Sequence, residues 1–302
     1  MPTFSRLHPN APRLVVALAM LLGVAVTVDL AVSGSRVLAQ ARPPAVTSPR
    51  IYVFDNGMLN VTDPKGFGFT RAELEESRLI VVSYLIVHPK GTLMWDAGLF
   101  PDAAFAGKSG PVGEGNSTAS RPLLPQLAAA GYHPSDVTYF ALSHYHGDHT
   151  GNANEFAGAT WIVQKAERDF MFAANHPEGT IIDVASFSKL KDAKTKVLND
   201  ENFDVFGDGT VVLMSAPGHT PGHQVLAVKL AKRGLVVLAG DLYHYPEERT
   251  TGRTPSFEFN AEQSKASRAK IEQFVKDNKA ELWIEHDIAT HAKLPRSPQF
   301  VE

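Results

Sequence analysis

Histidine and aspartate crowd one short stretch of this 302-residue chain, Ser143-His144-Tyr145-His146-Gly147-Asp148-His149-Thr150-Gly151. On an extended backbone, side chains at i and i+2 leave on the same side, so His144 and His146 can meet one ion. Asp148 and His149 then come from the turn that follows, where Gly147 supplies the backbone freedom to swing them round. Nitrogen and oxygen donors in a chain with no cysteine suit a hard-to-borderline divalent cation such as zinc. The competing reading is a polar loop with chance histidines. With 12 histidines in the chain one close pair is unsurprising, but three beside an aspartate is a cluster, and metal chemistry is the expectation.

Such donors need a rigid support, and residues 137–142 read as a buried strand that ends at the cluster. Residues 51–54 and 79–87, rich in β-branched and aromatic side chains, read as strands. Pro89-Lys90-Gly91 is a turn signal, and 92–95 resumes the pairing as a hairpin closed by Asp96-Ala97-Gly98. Residues 100–121 carry Gly107, Gly110, Gly113 and Gly115 without helical or strand period, the mark of an irregular loop that serves as a lid or binding loop or has no function. Helices are expected at 123–130, ended by Gly131, and at 166–174; 160–163 reads as a strand, and 180–200 shows no clear preference. Strands follow at 204–206, 210–215, 224–230 and 235–239, with turns at Gly207-Asp208-Gly209 and Gly234. Asn260, with Gln263 three residues on, marks the start of a helix that runs to about Asn278 with Ile271, Phe274 and Val275 on its apolar face. A last strand is expected at 282–284. No internal repeat appears at solenoid periods.

Three further segments join the cluster in a family resemblance. His144-x-His146-x-Asp148-His149 resembles the signature of the metallo-β-lactamase superfamily, hydrolases that mostly carry one or two zinc ions. Ser215-Ala216-Pro217-Gly218-His219-Thr220-Pro221-Gly222-His223 resembles its second metal segment, Leu238-Ala239-Gly240-Asp241 the strand that ends in a bridging aspartate, and Glu285-His286-Asp287 the last ligand segment. Their order and gaps are most similar to the N-acyl-homoserine lactonase branch, over roughly residues 50–295. The resemblance implies an α/β (α+β) fold, an αββα sandwich of two mixed β-sheets flanked by helices. It implies two Zn2+, or other divalent transition metals, per chain. His144, His146 and His219 would hold the first and Asp148, His149 and His286 the second, with Asp241 between them. His146 stands where redox di-iron relatives place a carboxylate, which points to hydrolysis rather than electron transfer.

The reaction so implied is the opening of a lactone ester, above all an N-acyl-homoserine lactone, by attack of a metal-bridging hydroxide, with Asp148 passing a proton to the leaving alkoxide. Lactonases of the branch carry a tyrosine three residues after the bridging aspartate. Here His244 occupies that position, flanked by Tyr243 and Tyr245, and each tyrosine is a candidate catalytic residue as well as a candidate packing residue. Asp96 matches a family Asp-x-Gly and either orients a ligand histidine or simply forms the turn. Phe100, Phe105, Phe257 and Phe259 are candidates for an acyl-chain groove, with core packing the commoner fate of phenylalanine. Arg249 and Arg253 suit a substrate carboxylate or, preferably, solvent. His223 is expected to hydrogen-bond nearby backbone, and His88, His133, His176 and His291 to be surface or packing residues.

A formal net charge of −3 gives no electrostatic case for nucleic acid. Arg6 and Arg13 precede the apolar run 14–28, and the small residues Ala39 and Ala41 follow. That is the pattern of a secretory signal peptide, cleaved after Ala39 or Ala41, for a periplasmic or secreted protein. An uncleaved anchor is the competing reading, but the run falls short of the roughly twenty residues a spanning helix needs, and no stable membrane insertion is expected after cleavage. The division is then signal segment 1–41, linker 42–50 with Pro43, Pro44 and Pro49, and hydrolase domain 51–302. The partner expected is a small lactone or ester; the sequence assigns no oligomeric state. Rivals are an exported β-lactamase, against which the bridging Asp241 argues, a broad-specificity esterase or thioesterase, and in particular a glyoxalase-II-like thioesterase, for whose added helical domain the chain after His286 is too short. A metal- or ligand-binding module without turnover is the reading from another class, and seven filled ligand positions oppose it.

Overall fold

The computed structural model describes residues 45–302; the expected signal segment lies outside them. Alternating apolar residues build its strands. In β1 (Arg50–Asn60), Ile51 and Val53 face one core while Tyr52 and Phe54 face another. Successive strand side chains point to opposite faces, so this strand is dry on both sides. It pairs antiparallel with β2 (Arg78–His88), itself buried after its first residue, and β2 pairs antiparallel with β3 (Gly91–Trp95). The short strands β4 (Val112–Glu114) and β5 (Ser117–Ala119) extend the other edge of β1. Beyond β3, β6 (Tyr139–Ala141), β7 (Thr160–Gln164) and β8 (Thr195–Leu198) run parallel to it in turn.

A second sheet holds β9 (Phe203–Asp204), β10 (Val211–Ser215), β11 (Gln224–Leu230), β12 (Gly234–Leu238) and β13 (Glu281–Trp283), antiparallel except for the parallel pair β12 and β13. The chain ends with β14 (Phe300–Val301) back on β1. Val82, Tyr84, Ile86 and Trp95 of the first sheet pack on Leu213, Leu226, Val228 and Leu238 of the second. Outside the first sheet, Leu85, Met94 and Trp161 meet Leu123 and Leu127 of helix α1 (Leu123–Ala129) and Phe187. Outside the second, Val225, Ala227 and Val237 meet Ile271 and Val275 of the long helix 261–278. Helix, sheet, sheet, helix is the expected sandwich, and both sheets are mixed. Among the described residues, no helix is long and apolar enough to cross a membrane.

Parallel pairing matters because it sets the C-terminal ends of neighbouring strands side by side. The ends of β3 and β6 place Asp96 against Ser143, whose N–H donates to Asp96 Oδ1 at 2.6 Å. The ends of β12 and β13 place Asp241 beside His286. Asp96 adopts φ 59°, a left-handed conformation unusual for a residue with a side chain. Strain of that kind persists where surrounding bonds hold it, and here it aims the carboxylate at the cluster.

Several segments differ from expectation. The 100–121 stretch contains a single 3-10 turn, Asp102–Phe105, and the β4–β5 hairpin, so part of it is sheet. A bulge between Asp55 and Gly57 lets β1 continue to Asn60 and receive that hairpin. Gly57 is needed there: its φ is 133°, and a Cβ would lie 2.5 Å from the Thr118 carbonyl oxygen. The 180–200 stretch resolves into a helical turn, Val184–Phe187, a 3-10 turn, Ser188–Asp192, and β8. Asn260 caps its helix as expected, its side chain accepting from Gln263 N at 3.1 Å.

Candidate metal centre

The loop after β6 carries the opening cluster. His144 and His146 lie in irregular backbone, and Asp148 and His149 sit on one helical turn, Gly147–Thr150. His144 Nε2 approaches His146 Nδ1 to 2.9 Å, so the two imidazoles converge as their spacing predicts. Gly147 has no positive φ, and a Cβ there would meet nothing within 4 Å, so the swing comes from helix initiation rather than from glycine. His219 arrives from the β10–β11 loop, its Nε2 3.1 Å from His146 Nδ1. Gly218 lets that loop close onto the 261–278 helix: at φ 136° its Cβ would stand 2.2 Å from Ser264 N.

Asp241 joins the two halves. Its Oδ2 lies 3.6 Å from His144 Nε2 and 3.4 Å from His219 Nε2. Its Oδ1 lies 3.2 Å from His149 Nε2 and 3.1 Å from His286 Nε2. Asp148 Oδ2 stands 3.7 Å from His149 Nε2 and 3.6 Å from His286 Nε2. The seven candidate ligands therefore fall into two groups, His144–His146–His219–Asp241 and Asp148–His149–His286, with donor atoms within 4.8 Å of one another in each.

Partners behind the rings fix which nitrogen faces inward. His286 Nδ1 donates to the Ile80 carbonyl at 2.7 Å, which leaves the Nε2 lone pair for the cluster. His149 Nδ1 has Asp96 Oδ2 at 3.2 Å and Glu285 Oε1 at 3.3 Å, and His219 Nδ1 has Glu258 Oε1 at 3.5 Å. His223 Nδ1 donates to the Ala216 carbonyl, and its Nε2 accepts from Asp241 N at 3.0 Å. It thus bonds backbone, as expected, and in doing so positions Asp241. Buried Glu167 ties the two histidine loops together, accepting from Tyr145 N, Thr220 Oγ1 and Gly222 N. Burial pushes its carboxyl up to about 7 against those three donors.

The charge pattern suits cations. Burial, with neighbouring imidazoles, holds His144 and His146 well below the ordinary histidine range, in the neutral form that ligates metal. Burial lowers His149 and His219 too, but Asp241 and the carboxylates behind them outweigh it. Burial by itself would raise Asp241, yet His286, His149 and His144 keep its carboxyl well below the usual range. His149 Nε2 and Asp241 Oδ1 are buried without a hydrogen-bond partner. Buried polar atoms are nearly always paired, so orphaned donors converging among five imidazoles fit a metal pair, and the absence of sulfur fits zinc.

The candidate tyrosines turn elsewhere. Tyr243 donates to Glu272 Oε1 at 3.2 Å, and Tyr245 to the Ser77 carbonyl at 2.8 Å, so neither hydroxyl is directed at the cluster. His244 joins it instead. Arg249 and Arg253 pair with Glu272 and Glu73 at the surface, near the solvated role favoured for them. Above the cluster lies a cavity of about 250 Å3 walled by Leu59, Phe67, Leu79, Ile181 and Phe257. A larger cleft of about 730 Å3, to which Phe100 contributes, shares Leu59, Asp148 and Ile181 with it. Phe105 lines neither, and Phe259 is half-exposed and packs edge-on to Phe170. Glu248, Glu258 and Arg268 escaped the sequence reading because a lone charge in a loop or helix carries no spacing signal.

The sequence profile of the metallo-beta-lactamase superfamily matches residues 77–278. N-acyl homoserine lactonase AttM of Rhizobium radiobacter is 30% identical over 272 residues, spanning 84% of this chain and 99% of AttM. An N-acyl homoserine lactonase of a Bacillus species is 29% identical over 235 residues, 74% of this chain and 87% of its own. Among solved structures, a mutant of B. thuringiensis AiiA with N-decanoyl-L-homoserine at its active site matches with a TM-score of 0.68 at 24% identity, over 85% of this chain and 100% of AiiA. AidC, a dizinc quorum-quenching lactonase bound to a product, matches with a TM-score of 0.62 at 22% identity, over 80% of this chain and 89% of AidC. With its two mixed sheets, its donors at strand ends and this profile match, the chain belongs to the metallo-beta-lactamase superfamily.

Proposed function

We propose that the protein is a dinuclear-metal lactonase that opens N-acyl-homoserine lactones, with zinc as its metal. His144, His146 and His219 hold one ion and Asp148, His149 and His286 the other, Asp241 serving both. The observation that carries this is the division of Asp241, one oxygen toward each histidine group. Two relatives matched over most of their own length, AttM and the Bacillus protein, are named N-acyl homoserine lactonases. When bound, such a metal pair supplies an activated water at neutral pH and polarises the ester carbonyl.

The chain's own groups do the rest. Phe67, Leu79 and Phe257 present an apolar wall that excludes water and takes the acyl part of the substrate. Asp148, partly exposed where the cavity meets the larger cleft, is placed to carry a proton to the leaving alkoxide. Residues 1–41 act as an export signal, so the enzyme meets its substrate outside the cytoplasm.

Metal content and turnover of hexanoyl- and decanoyl-homoserine lactone, beside a cephalosporin and a thioester, test the proposal. Two equivalents of metal with preferred lactone opening are expected. Less than one equivalent after reconstitution, or preference for the cephalosporin, overturns it. Asp148→Asn should lower turnover by about 10²-fold in samples matched for metal content, the scale of a lost acid–base group.

A further inference from the structure

His244 is buried and lies beside Asp241, yet neither the sequence pattern nor the seven-ligand reading uses it. Outside the seven ligands, the other buried histidines of the described residues put at most one nitrogen on a carboxylate: His88 gives Nε2 to Asp208 at 3.0 Å and accepts from Lys90 N on Nδ1. His223 bonds a backbone N–H and a carbonyl, and His291 bonds Tyr84 Oη at 2.7 Å and the Asp287 carbonyl at 2.9 Å. His244 is different. Its Nε2 stands 3.2 Å from Asp241 Oδ2, the same oxygen that faces His144 and His219. Its ring centroid is 5.0 Å from that of His219, and its ring lies parallel to that of His286 at 5.9 Å.

Behind the ring, Nδ1 lies 3.3 Å from Glu248 Oε1. Glu248 in turn accepts from Arg268 Nη2 at 2.6 Å, and Arg268 also donates to the Leu242 carbonyl at 2.8 Å, so the carboxylate is fixed. One nitrogen toward Asp241 and the other toward a buried carboxylate is the arrangement of His149 with Asp96 and of His219 with Glu258. Carboxylate-backed imidazoles of this kind are how proteins orient metal-bound histidine.

We propose that His244 is an eighth donor of the metal centre, offering Nε2 on the Asp241 Oδ2 side, with Glu248 and Arg268 as the residues that position its ring. The proposal rests on the two-metal reading above. His244 still lines the cavity above the cluster, so the position that carries tyrosine in the lactonase branch keeps its place beside substrate space while its Nε2 turns toward the ions.

The test uses the full chain loaded with Co2+, whose visible absorption reports coordination number, together with chelator competition for each ion. The unaltered protein should bind two Co2+; failure at that point sinks the two-metal reading and this inference with it. Given two ions, His244→Phe keeps the ring packing and removes both nitrogens. One ion should then show a stronger visible band, as coordination number falls, and at least about tenfold weaker binding. Glu248→Gln should weaken the same ion by about 10–100-fold, the range for partners of metal-bound histidines. His244→Gln is a second variant should the phenylalanine disturb folding. Unchanged spectra and affinities in the His244 variants, with only KM for the lactone raised, would place His244 on the substrate and overturn the proposal.

Discussion

The two sheets supply the metal centre in unlike ways. The first gives His144, His146, Asp148 and His149 from one loop after one strand: within it His149 N donates to the His146 carbonyl at 3.0 Å, and Ala97 N, just past the end of the neighbouring β3, donates to the His149 carbonyl at 2.7 Å. The second gathers His219, Asp241, His244 and His286 from the ends of three strands, and it steadies them with Glu248, four residues after His244, and with Glu258 and Arg268 further along the chain. A half built locally resists distant change. A half built by convergence inherits every weakness of the loops and ion pairs behind it.

Asp241→Ala is the strongest way to sharpen this contrast, because that carboxylate alone serves both halves. Loss of bound metal to one equivalent or less, with a fall in lactone turnover of at least about 10³-fold, is expected on the several kcal/mol that such ions contribute. Retention of two tightly held ions, measured by chelator competition, would show the halves to be independent.

Arg268→Met probes the support of the convergent half. The guanidinium is buried, pairs with Glu248 at 2.6 Å and lies 4.0 Å from Glu258. Removing it takes the guanidinium from two buried carboxylates that are otherwise faced by the His244 and His219 imidazoles, and breaking a buried pair from one side costs about 3–5 kcal/mol. Urea unfolding at fixed metal concentration should show that loss; a change under about 1 kcal/mol would mean the second half does not depend on this network.

What the sequence disclosed follows the same division. The first half was readable because its donors are neighbours in the chain, and His219, Asp241 and His286 were readable only because the resemblance supplied their segments. The supports of the second half left no trace in spacing: nothing about Glu258 in a loop or Arg268 on a helix says that they meet across a turn. The β4–β5 hairpin was hidden for a related reason, since three-residue strands around Gly113 and Gly115 have no period of their own and form by pairing with β1. His244 was visible as a departure, but its neighbours drew the attention. Only folded contacts show that Tyr243 and Tyr245 spend their hydroxyls elsewhere while the histidine between them turns to Asp241.

His291 tests the seam between the halves. It follows the His286 segment of the second sheet and takes the Tyr84 hydroxyl of the first. Burial holds it down to about 4, against about 6.5 in an unfolded chain. Between those values the unfolded state binds the extra proton, so the histidine's contribution is full above pH 6.5 and fades as pH falls toward 4. A shift of that size corresponds to about 3 kcal/mol. In metal-free protein the stability gap between the chain and His291→Phe should therefore narrow on acidification from pH 7.5 to 4.5. A gap that stays constant across that range would mean the seam carries no buried neutral imidazole.

Arg249 gives the smallest effect and the cleanest control on Arg268. Both arginines pair with a glutamate near the same loop, Arg249 with Glu272 at 2.6 Å, but its side chain and that of Glu272 are 37% and 34% exposed, whereas the Arg268 and Glu248 side chains are 7% and 0% exposed. Water screens the outer pair and hydrates whichever partner remains, so such pairs contribute about 0–1 kcal/mol. Arg249→Ala should change unfolding stability by no more than about 1 kcal/mol and leave both metal affinities as they were, even though the Tyr243 hydroxyl shares the same Glu272 oxygen. If it weakened metal binding as much as Arg268→Met, the convergent half would draw its rigidity from the surface rather than from its buried network, and the contrast between the two sheets would lose its physical basis.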